Sequence, residues 1–181
     1  MTETGERESL LKIARDAVVA HVNRVRPHQA IPEGLASRLG GAFVTIHHRG
    51  ELRGCIGHIE ADQRLVHVIA QCAVSACSSD PRFSPVSADE LPDLDIELSL
   101  LGPLEPIGGP ADIEIGRHGL LVARGGRRGL LLPQVATEWN WDAVTFLAQT
   151  CRKAGLHLDA WKEGATIWRF EAEVFGEKLL P

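Results

Sequence analysis

The chain has 181 residues, of which 44% are hydrophobic and 24% are charged, a composition typical of one compact domain with a buried core. Its 19 basic and 24 acidic residues give a net charge of -5, and without a Lys/Arg cluster this balance argues against nucleic acid as a partner. No run approaches the roughly 18 apolar residues that span a bilayer, no basic amphipathic helix suits a membrane surface, and residues 1–8 differ from a signal peptide, so the expected location is cytoplasmic.

The first half of the chain predicts a helix, a hairpin and a second helix. Apolar residues recur every three or four positions over about residues 6–25, and Pro27 ends this helix. Residues 43–46 and 52–59 predict two strands joined by a turn at 49–51. Residues 63–77 are apolar nearly all round, as in a buried helix.

The second half predicts a loop at 80–85 and a half-buried strand at 94–100, where apolar and polar residues alternate strictly. Three short strands are expected at 112–115, 119–124 and 129–132, then a helix from Asp142 to Ala154 and a last strand at 166–175. The Gly- and Pro-rich stretch 102–110 suggests a seam. Clustered strands between helices indicate an α+β fold with antiparallel sheets.

The four cysteines, Cys55, Cys72, Cys77 and Cys151, lack the paired spacing of a disulfide framework or a zinc site. In a reducing compartment we expect free thiols, with no disulfide, no structural metal and no cofactor. The hydrophobic pattern of the two long helices predicts that Cys72 and Cys151 pack in the core.

Several ordered motifs together resemble the AMMECR family. They are LRGCIG at 52–57, DPRF at 80–83, ELSLL at 97–101, IGRHGL at 115–120, LLPQV at 131–135 and CRKAGL at 151–156. The resemblance extends over about residues 42–177, and the hexapeptide at 52–57 is its most specific motif. The chain is therefore identified as a member of this family.

The resemblance implies one domain over residues 1–181 made of two subdomains, each an antiparallel sheet with flanking helices. The larger subdomain would contain both chain ends, the smaller would be inserted from the middle, and the hexapeptide would face a cleft between them. Prokaryotic members resemble one component of a set that also includes a Memo-like protein and a radical S-adenosylmethionine protein. No settled reaction accompanies the family.

Cys55 is the candidate catalytic residue, with Arg53 and His48 as its candidate partners. Alternation along a strand puts Arg53 on the face of Cys55. A two-residue turn brings His48 to the same face and places Val44 or Ile46 opposite Cys55, depending on which two residues form the turn. A guanidinium and an imidazole near a thiol favour the thiolate, which is the nucleophilic form.

Two alternatives stay open at this point. A three-residue loop would bring His47 rather than His48 to the face of Cys55. Cys55 could also be a small buried hydrophobe, with Arg53 as an ion-pair partner. His58 is rejected as a base in every case, because its odd spacing from Cys55 places it on the other face.

Further residues are candidates for substrate binding: Leu52, Gly54, Ile56, Gly57, Arg82, His118 and Gln134. The two glycines leave room for a backbone or a ligand to approach closely. Arg82 offers a planar fork for a carboxylate or phosphate, although an Asp80–Arg82 contact that only staples the loop, with Phe83 buried as a plug, explains it equally simply.

His118 and Gln134 have their own two interpretations. His118 titrates in the range suited to proton transfer, but a histidine in a turn is usually just solvated. Gln134 is expected near a strand end, where binding groups often lie. The sequence thus supports two functions: an enzyme component that handles a small organic or peptide-like substrate with a reactive Cys55, or a protein-binding module that uses the same surface.

Overall fold

A computed structural model describes residues 2–27, 31 and 33–178 of the chain. In that part there are four α-helices: α1 (Thr4–Val22), α2 (Leu65–Ser78), α3 (Pro133–Glu138) and α4 (Ala143–Lys153). The strands are β1 (Ala42–His48), β2 (Glu51–His58), β3 (Leu94–Leu101), β4 (Glu105–Pro106), β5 (His118–Arg124), β6 (Arg127–Leu131) and β7 (Thr166–Gly176). None of the helices described is long and apolar enough to cross a membrane.

The chain divides into two compact units. Residues 102–172 form one unit, and the chain on either side of this segment forms the other. Strands pair antiparallel in both units, so the predicted α+β class with antiparallel pairing is confirmed. The cleft that the family resemblance implies stays a prediction.

The first unit packs helices α1 and α2 on one face of a sheet whose strand order is β2-β1-β3, with the end of β7 beside β3. Its core is built from residues that repeat at helical spacing in the helices and alternate in the strands. Fully buried members include Leu10, Ala14, Val18, Ile69, Ala73, Val44, Ile46, Ile96 and Leu98. Helix α1 ends at Val22, earlier than predicted, because Arg24 adopts a left-handed backbone conformation (φ 57°) that helices do not continue through.

The second unit has the strand order β4-β7-β5-β6, with α4 packed on β5 and β6. Gly125 and Gly126 form the β5–β6 turn with positive φ angles of 58° and 80°, which suits a two-residue hairpin. The predicted helix that starts at Asp142 is confirmed as α4, and the Asp142 carboxylate caps it by accepting a hydrogen bond from the Thr145 N–H at 2.7 Å. Phe146 and Leu147 of this helix are fully buried in the unit's own core.

The second unit differs from the sequence prediction in two places. Residues 112–115 do not form a strand; a 3₁₀ turn at Pro110–Asp112 occupies part of that segment, because Pro110 starts a tight turn and has no N–H for a sheet. Helix α3 was not predicted, since its six residues are too few to show periodicity.

Candidate functional site

The hairpin that carries Cys55 contains a bulge that changes its pairing. Arg49 and Gly50 form the turn (φ 53° and 89°), and the strands then pair regularly until the register shifts between Ile46 and His47, leaving Arg53 without a cross-strand partner. Thr45 therefore lies opposite Cys55. The predicted partner, Val44 or Ile46, is wrong, because one extra residue in a strand reverses which side chains face each other.

His48 does not accompany Cys55. Alternation along β1 puts His48 on the face opposite Thr45, and hence away from the thiol. Its Nε2 lies 4.0 Å from an Asp93 carboxylate oxygen. The prediction that a two-residue turn brings His48 beside Cys55 is wrong for the same reason: the bulge, not the turn, decides the face.

Arg53 holds a neighbouring loop. Its guanidinium forms an ion pair with Glu90 (Nε to Oε1 2.8 Å) and donates hydrogen bonds to the carbonyl oxygens of Ser84 and Pro85. The hydrogen bond from Arg53 to Glu90, with further donors from Ser87, lowers the pKa of Glu90 to about 2. The geometry matches the alternative in which Arg53 is an ion-pair partner, because its donors are directed to the 84–90 segment.

The Cys55 sulfur has a hydroxyl neighbour. The Thr45 hydroxyl donates to Sγ at 3.3 Å, and a donor at this position stabilises negative charge on the sulfur. Cys55 is partly exposed, whereas Cys72, Cys77 and Cys151 are buried. Burial raises the pKa of both Cys72 and Cys77 to about 11 and also raises the pKa of Cys151. The predicted core placement of Cys72 and Cys151 is confirmed.

The Asp80–Arg82 ion pair forms hydrogen bonds with the backbone of Cys55 at the open edge of the sheet. Cys55 lies on the edge strand β2, and its N–H donates to Asp80 Oδ2 at 2.9 Å. The Arg82 guanidinium donates to both carboxylate oxygens of Asp80 (2.9 and 2.7 Å) and to the Cys55 carbonyl oxygen at 3.4 Å. The side chains of the 80–82 turn thus replace a neighbouring strand at this one residue.

The glycines of the hexapeptide are required by packing. A Cβ on Gly54 would lie 2.1 Å from the carbonyl oxygen of Ala76 in α2, and one on Gly57 would lie 2.3 Å from the Phe43 ring. The space predicted beside them is filled by the protein itself. Leu52 is exposed at the start of β2, and Ile56 packs partly against the core.

Phe83 is half-buried, so the prediction of a fully buried plug is wrong. Its ring lies under the Arg82 guanidinium, with the carbon Cζ 5.3 Å from the ring centroid. The Phe83 ring therefore stacks against the guanidinium of Arg82 in the same loop instead of inserting into the core. The predicted Asp80–Arg82 contact is present as described above.

His118 and Gln134 belong to the second unit, whereas the residues around Cys55 belong to the first. His118 is the first residue of β5 and is 7% exposed, so it is not a solvated turn residue. Burial, together with the charges of Arg169 and Arg117, lowers its pKa. Gln134 lies in the first turn of α3 rather than at the end of a strand.

Three residues of the Cys55 site could not be found by spacing alone. Thr45 depends on the bulge, while Asp80 and Glu90 depend on how two loops fold back on β2. The only signal in the sequence was the acid-x-base pattern at 80–82. Among the residues described, no group of three or more His, Cys, Asp or Glu side chains is placed to hold a metal ion.

Comparison with known proteins gives a consistent set of similarities. A family model described as AMMECR1 matches residues 11–175. A protein of Methanothermobacter thermautotrophicus is 46% identical over 182 residues, covering 95% of this chain and 94% of its own. Protein TK0174 of Thermococcus kodakarensis is 43% identical over 185 residues, with coverage of 94% and 90%. The crystal structure of the uncharacterized protein PH0010 from Pyrococcus horikoshii has a TM-score of 0.86 at 38% identity, covering 94% of this chain and 91% of that one.

Proposed function

The chain belongs to the AMMECR1 family, and on this premise we propose that it is an enzyme component that handles a small organic or peptide-like substrate, with Cys55 as the reactive thiol. One observation carries the proposal: Cys55 alone among the four cysteines is partly exposed. Its sulfur also accepts a hydrogen bond from Thr45, and its peptide group is fixed by Asp80 and Arg82. A reachable sulfur on a rigid backbone is what nucleophilic catalysis requires.

The chemistry assigned to Cys55 is covalent capture of an electrophilic carbon. Sγ forms the bond to this carbon, and the thiol proton departs with the group that is displaced. Water or a second nucleophile then cleaves the sulfur–carbon bond and restores the thiol, so no external oxidant or reductant is consumed. Thr45 has a positioning role in this scheme, because its hydroxyl stabilises the negative charge that develops on the sulfur.

The proposal is tested by measuring how fast each cysteine is alkylated by iodoacetamide across a pH series, with peptide mapping by mass spectrometry. Cys55 is expected to react much faster than Cys72, Cys77 and Cys151 in the folded protein, because their thiols are buried. The denatured protein is the reference, since all four cysteines should then react alike.

A substitution separates the role of Thr45 from simple exposure. Thr45→Val keeps the shape but removes the hydroxyl, and we expect the alkylation rate of Cys55 to fall by about two- to tenfold, the value of one hydrogen bond. Thr166→Val, at an exposed strand position of the second unit, is the matched control and should leave the rate unchanged. Alkylation of Cys55 no faster than of Cys72 would contradict the thiol proposal and favour the alternative below.

The second candidate is a non-catalytic protein-binding module. It is favoured by the finding that three residues of the hexapeptide have structural explanations: Arg53 fixes the 84–90 loop, and Ala76 and Phe43 fill the space at the two glycines. In this function the rigid hexapeptide is a docking surface. It requires no special reactivity of Cys55, which is why the alkylation experiment distinguishes the two.

The proposed partners follow from the family. We propose that the chain acts in the cytoplasm alongside Memo-like and radical S-adenosylmethionine proteins, and not on nucleic acid or membranes. Its acidic net charge of -5 supports the exclusion of nucleic acid. The reaction assigned to Cys55 consumes no cofactor held by this chain.

A further inference from the structure

The second unit contains a cavity of about 420 Å³ that the proposed thiol chemistry does not use. Its volume lies within the range of small-molecule sites. Six titratable or charged side chains line it: His118, Arg117, Arg169, Glu105, Glu114 and Glu171. We propose that this cavity binds a small zwitterionic molecule, of the amino-acid class, that carries one carboxylate and one ammonium group.

Strand pairing assembles the floor of the cavity. His118 lies opposite Glu171 across the β5–β7 pair, and Arg169 lies two residues along β7 on the same face. Glu114 and Arg117 come from the segment just before β5, where the His118 N–H returns to the Glu114 carbonyl at 3.0 Å. The polar groups are thus held by regular backbone structure, as a binding site requires.

His118 presents one fixed donor to this cavity. The Glu114 N–H donates to its Nδ1 at 3.0 Å, so Nδ1 carries a lone pair and the proton of the neutral ring is on Nε2. If Nδ1 were protonated, its N–H would face the Glu114 N–H, and two donors would repel each other. No residue that the structure describes is recorded as accepting a hydrogen bond from Nε2, and this nitrogen is not among the atoms buried from solvent. Because His118 lines the cavity, this donor is free to bind an acceptor on a molecule that enters it.

The charges around the donor decide the class of ligand. Arg117 is paired with Glu171 (2.7 Å) and Glu114 (3.2 Å), and Arg169 is paired with Glu105 (3.0 Å). Three carboxylates therefore face two guanidinium groups, which leaves one negative charge unbalanced. A simple anion is poorly matched to this excess.

A zwitterion fits both features at once. Its carboxylate accepts from His118 Nε2–H and reaches the edge of an arginine, while its ammonium group takes up the excess carboxylate charge. The existing ion pairs are solvent-exposed and therefore weak, so exchanging one partner for a ligand group costs little. All residues of this site belong to the second unit, and ligand binding there does not depend on any reaction at Cys55.

The test uses three probes that share a three-carbon skeleton: β-alanine, propionate and propylamine. Each is titrated into the full chain, uniformly labelled with ¹⁵N, while the imidazole ¹⁵N–¹H resonances are followed by NMR at slightly alkaline pH. We expect β-alanine to shift the His118 resonance saturably, and the two single-charge probes to bind about two- to fivefold more weakly, as for loss of one exposed ionic contact. His157, an exposed histidine of the same unit that does not line the cavity, is the internal control and should not shift.

Two variants make the result independent of whether His118 can be replaced without unfolding. In His118→Gln, where binding is followed by isothermal titration calorimetry because the observed resonance is absent, β-alanine binding should be lost or strongly weakened. Glu105→Gln, at an exposed position, keeps the His118 resonance and should weaken β-alanine binding relative to propionate binding, because it removes the excess negative charge. Absence of a saturable shift with any probe would overturn the site. Equal binding of propionate and β-alanine would overturn the zwitterion assignment.

Discussion

Asp80 is the only buried carboxylate among the residues that the structure describes, with 4% of its surface exposed. It accepts hydrogen bonds from the N–H groups of Cys55 and Arg82 and from the Arg82 guanidinium. The hydrogen bonds from Arg82 hold the pKa of this carboxyl well below its usual range. A charge so fully paired stabilises the fold only while it stays ionised.

Replacing Asp80 with Asn should destabilise the protein by about 1–3 kcal/mol near neutral pH, because hydrogen bonds to a charged acceptor are lost. The free energy of unfolding is measured by urea denaturation. Asp89→Asn is the matched control, since Asp89 is an exposed carboxylate of the following loop. We expect the control to change stability by less than about 0.5 kcal/mol.

The same comparison has a defined pH dependence. The folded pKa of Asp80 is depressed, so its stabilising contribution is complete above the unfolded pKa of about 3.9 and is lost as the pH falls through the folded pKa. The difference in unfolding free energy between the parent and Asp80→Asn should therefore shrink on acidification below about pH 4. A difference that stays constant with pH would show that the charge contributes nothing.

At the scale of elements, glycines set how closely strands approach their neighbours. Gly54 allows β2 to lie directly against the backbone of α2, and in each unit one glycine lies under an aromatic ring of the paired strand. These cross-strand pairs are Gly57 with Phe43 and Gly119 with Phe170. The ring covers backbone that the glycine would otherwise leave exposed, which strengthens the pairing of a weak strand residue.

Gly54→Ala should destabilise the first unit by at least about 2 kcal/mol, toward the upper end of overpacking costs. The added Cβ meets the Ala76 carbonyl oxygen at 2.1 Å, and a helix backbone cannot move aside as a side chain can. Thermal unfolding followed by circular dichroism measures the effect. Gly5→Ala, which meets nothing within 4 Å in α1, should leave the protein unchanged or slightly more stable. If Gly54→Ala instead preserved stability, the glycine would have a role other than packing.

The sequence predicted the long elements well because their patterns are long. Helices α1, α2 and α4 and the alternating strand β3 are all present, within a few residues of the expected bounds. Two short segments were missed for the same reason: α3 has only six residues, and no strand forms at 112–115, where the 3₁₀ turn at Pro110–Asp112 ends. Periodicity needs several repeats before it distinguishes one structure from another.

The candidate site was less predictable than the fold, and the bulge at Arg53 shows why. A single unpaired residue moves Thr45 opposite Cys55 and leaves His48 on the other face, yet nothing in local composition marks it. The ion-pair partner of Arg53 is Glu90, which is distant in sequence. The hexapeptide was correctly placed on a strand, but its contacts depend on loops whose path no local pattern encodes.

At the scale of the whole molecule, the chain builds two separate hydrophobic cores. The larger core draws on α1, α2, β1 and β3, and the smaller is formed within residues 102–172 around Phe146 and Leu147. Each core is formed by residues of one unit, so each unit holds its own network of buried contacts. Regions with distinct cores commonly open as separate cooperative units.

Truncating the largest side chain of the smaller core should therefore have a local effect. Phe146 is fully buried, and Phe146→Ala is expected to cost about 3–5 kcal/mol through lost burial and the cavity that remains. We expect amide hydrogen exchange, measured by mass spectrometry, to accelerate in β5, β6 and α4 more than in α1 and α2. Leu10→Ala, at a fully buried position of the larger core, is the matched reciprocal variant and should accelerate exchange in α1 and α2 instead. Equal acceleration in both units from either variant would show that the two cores unfold as one.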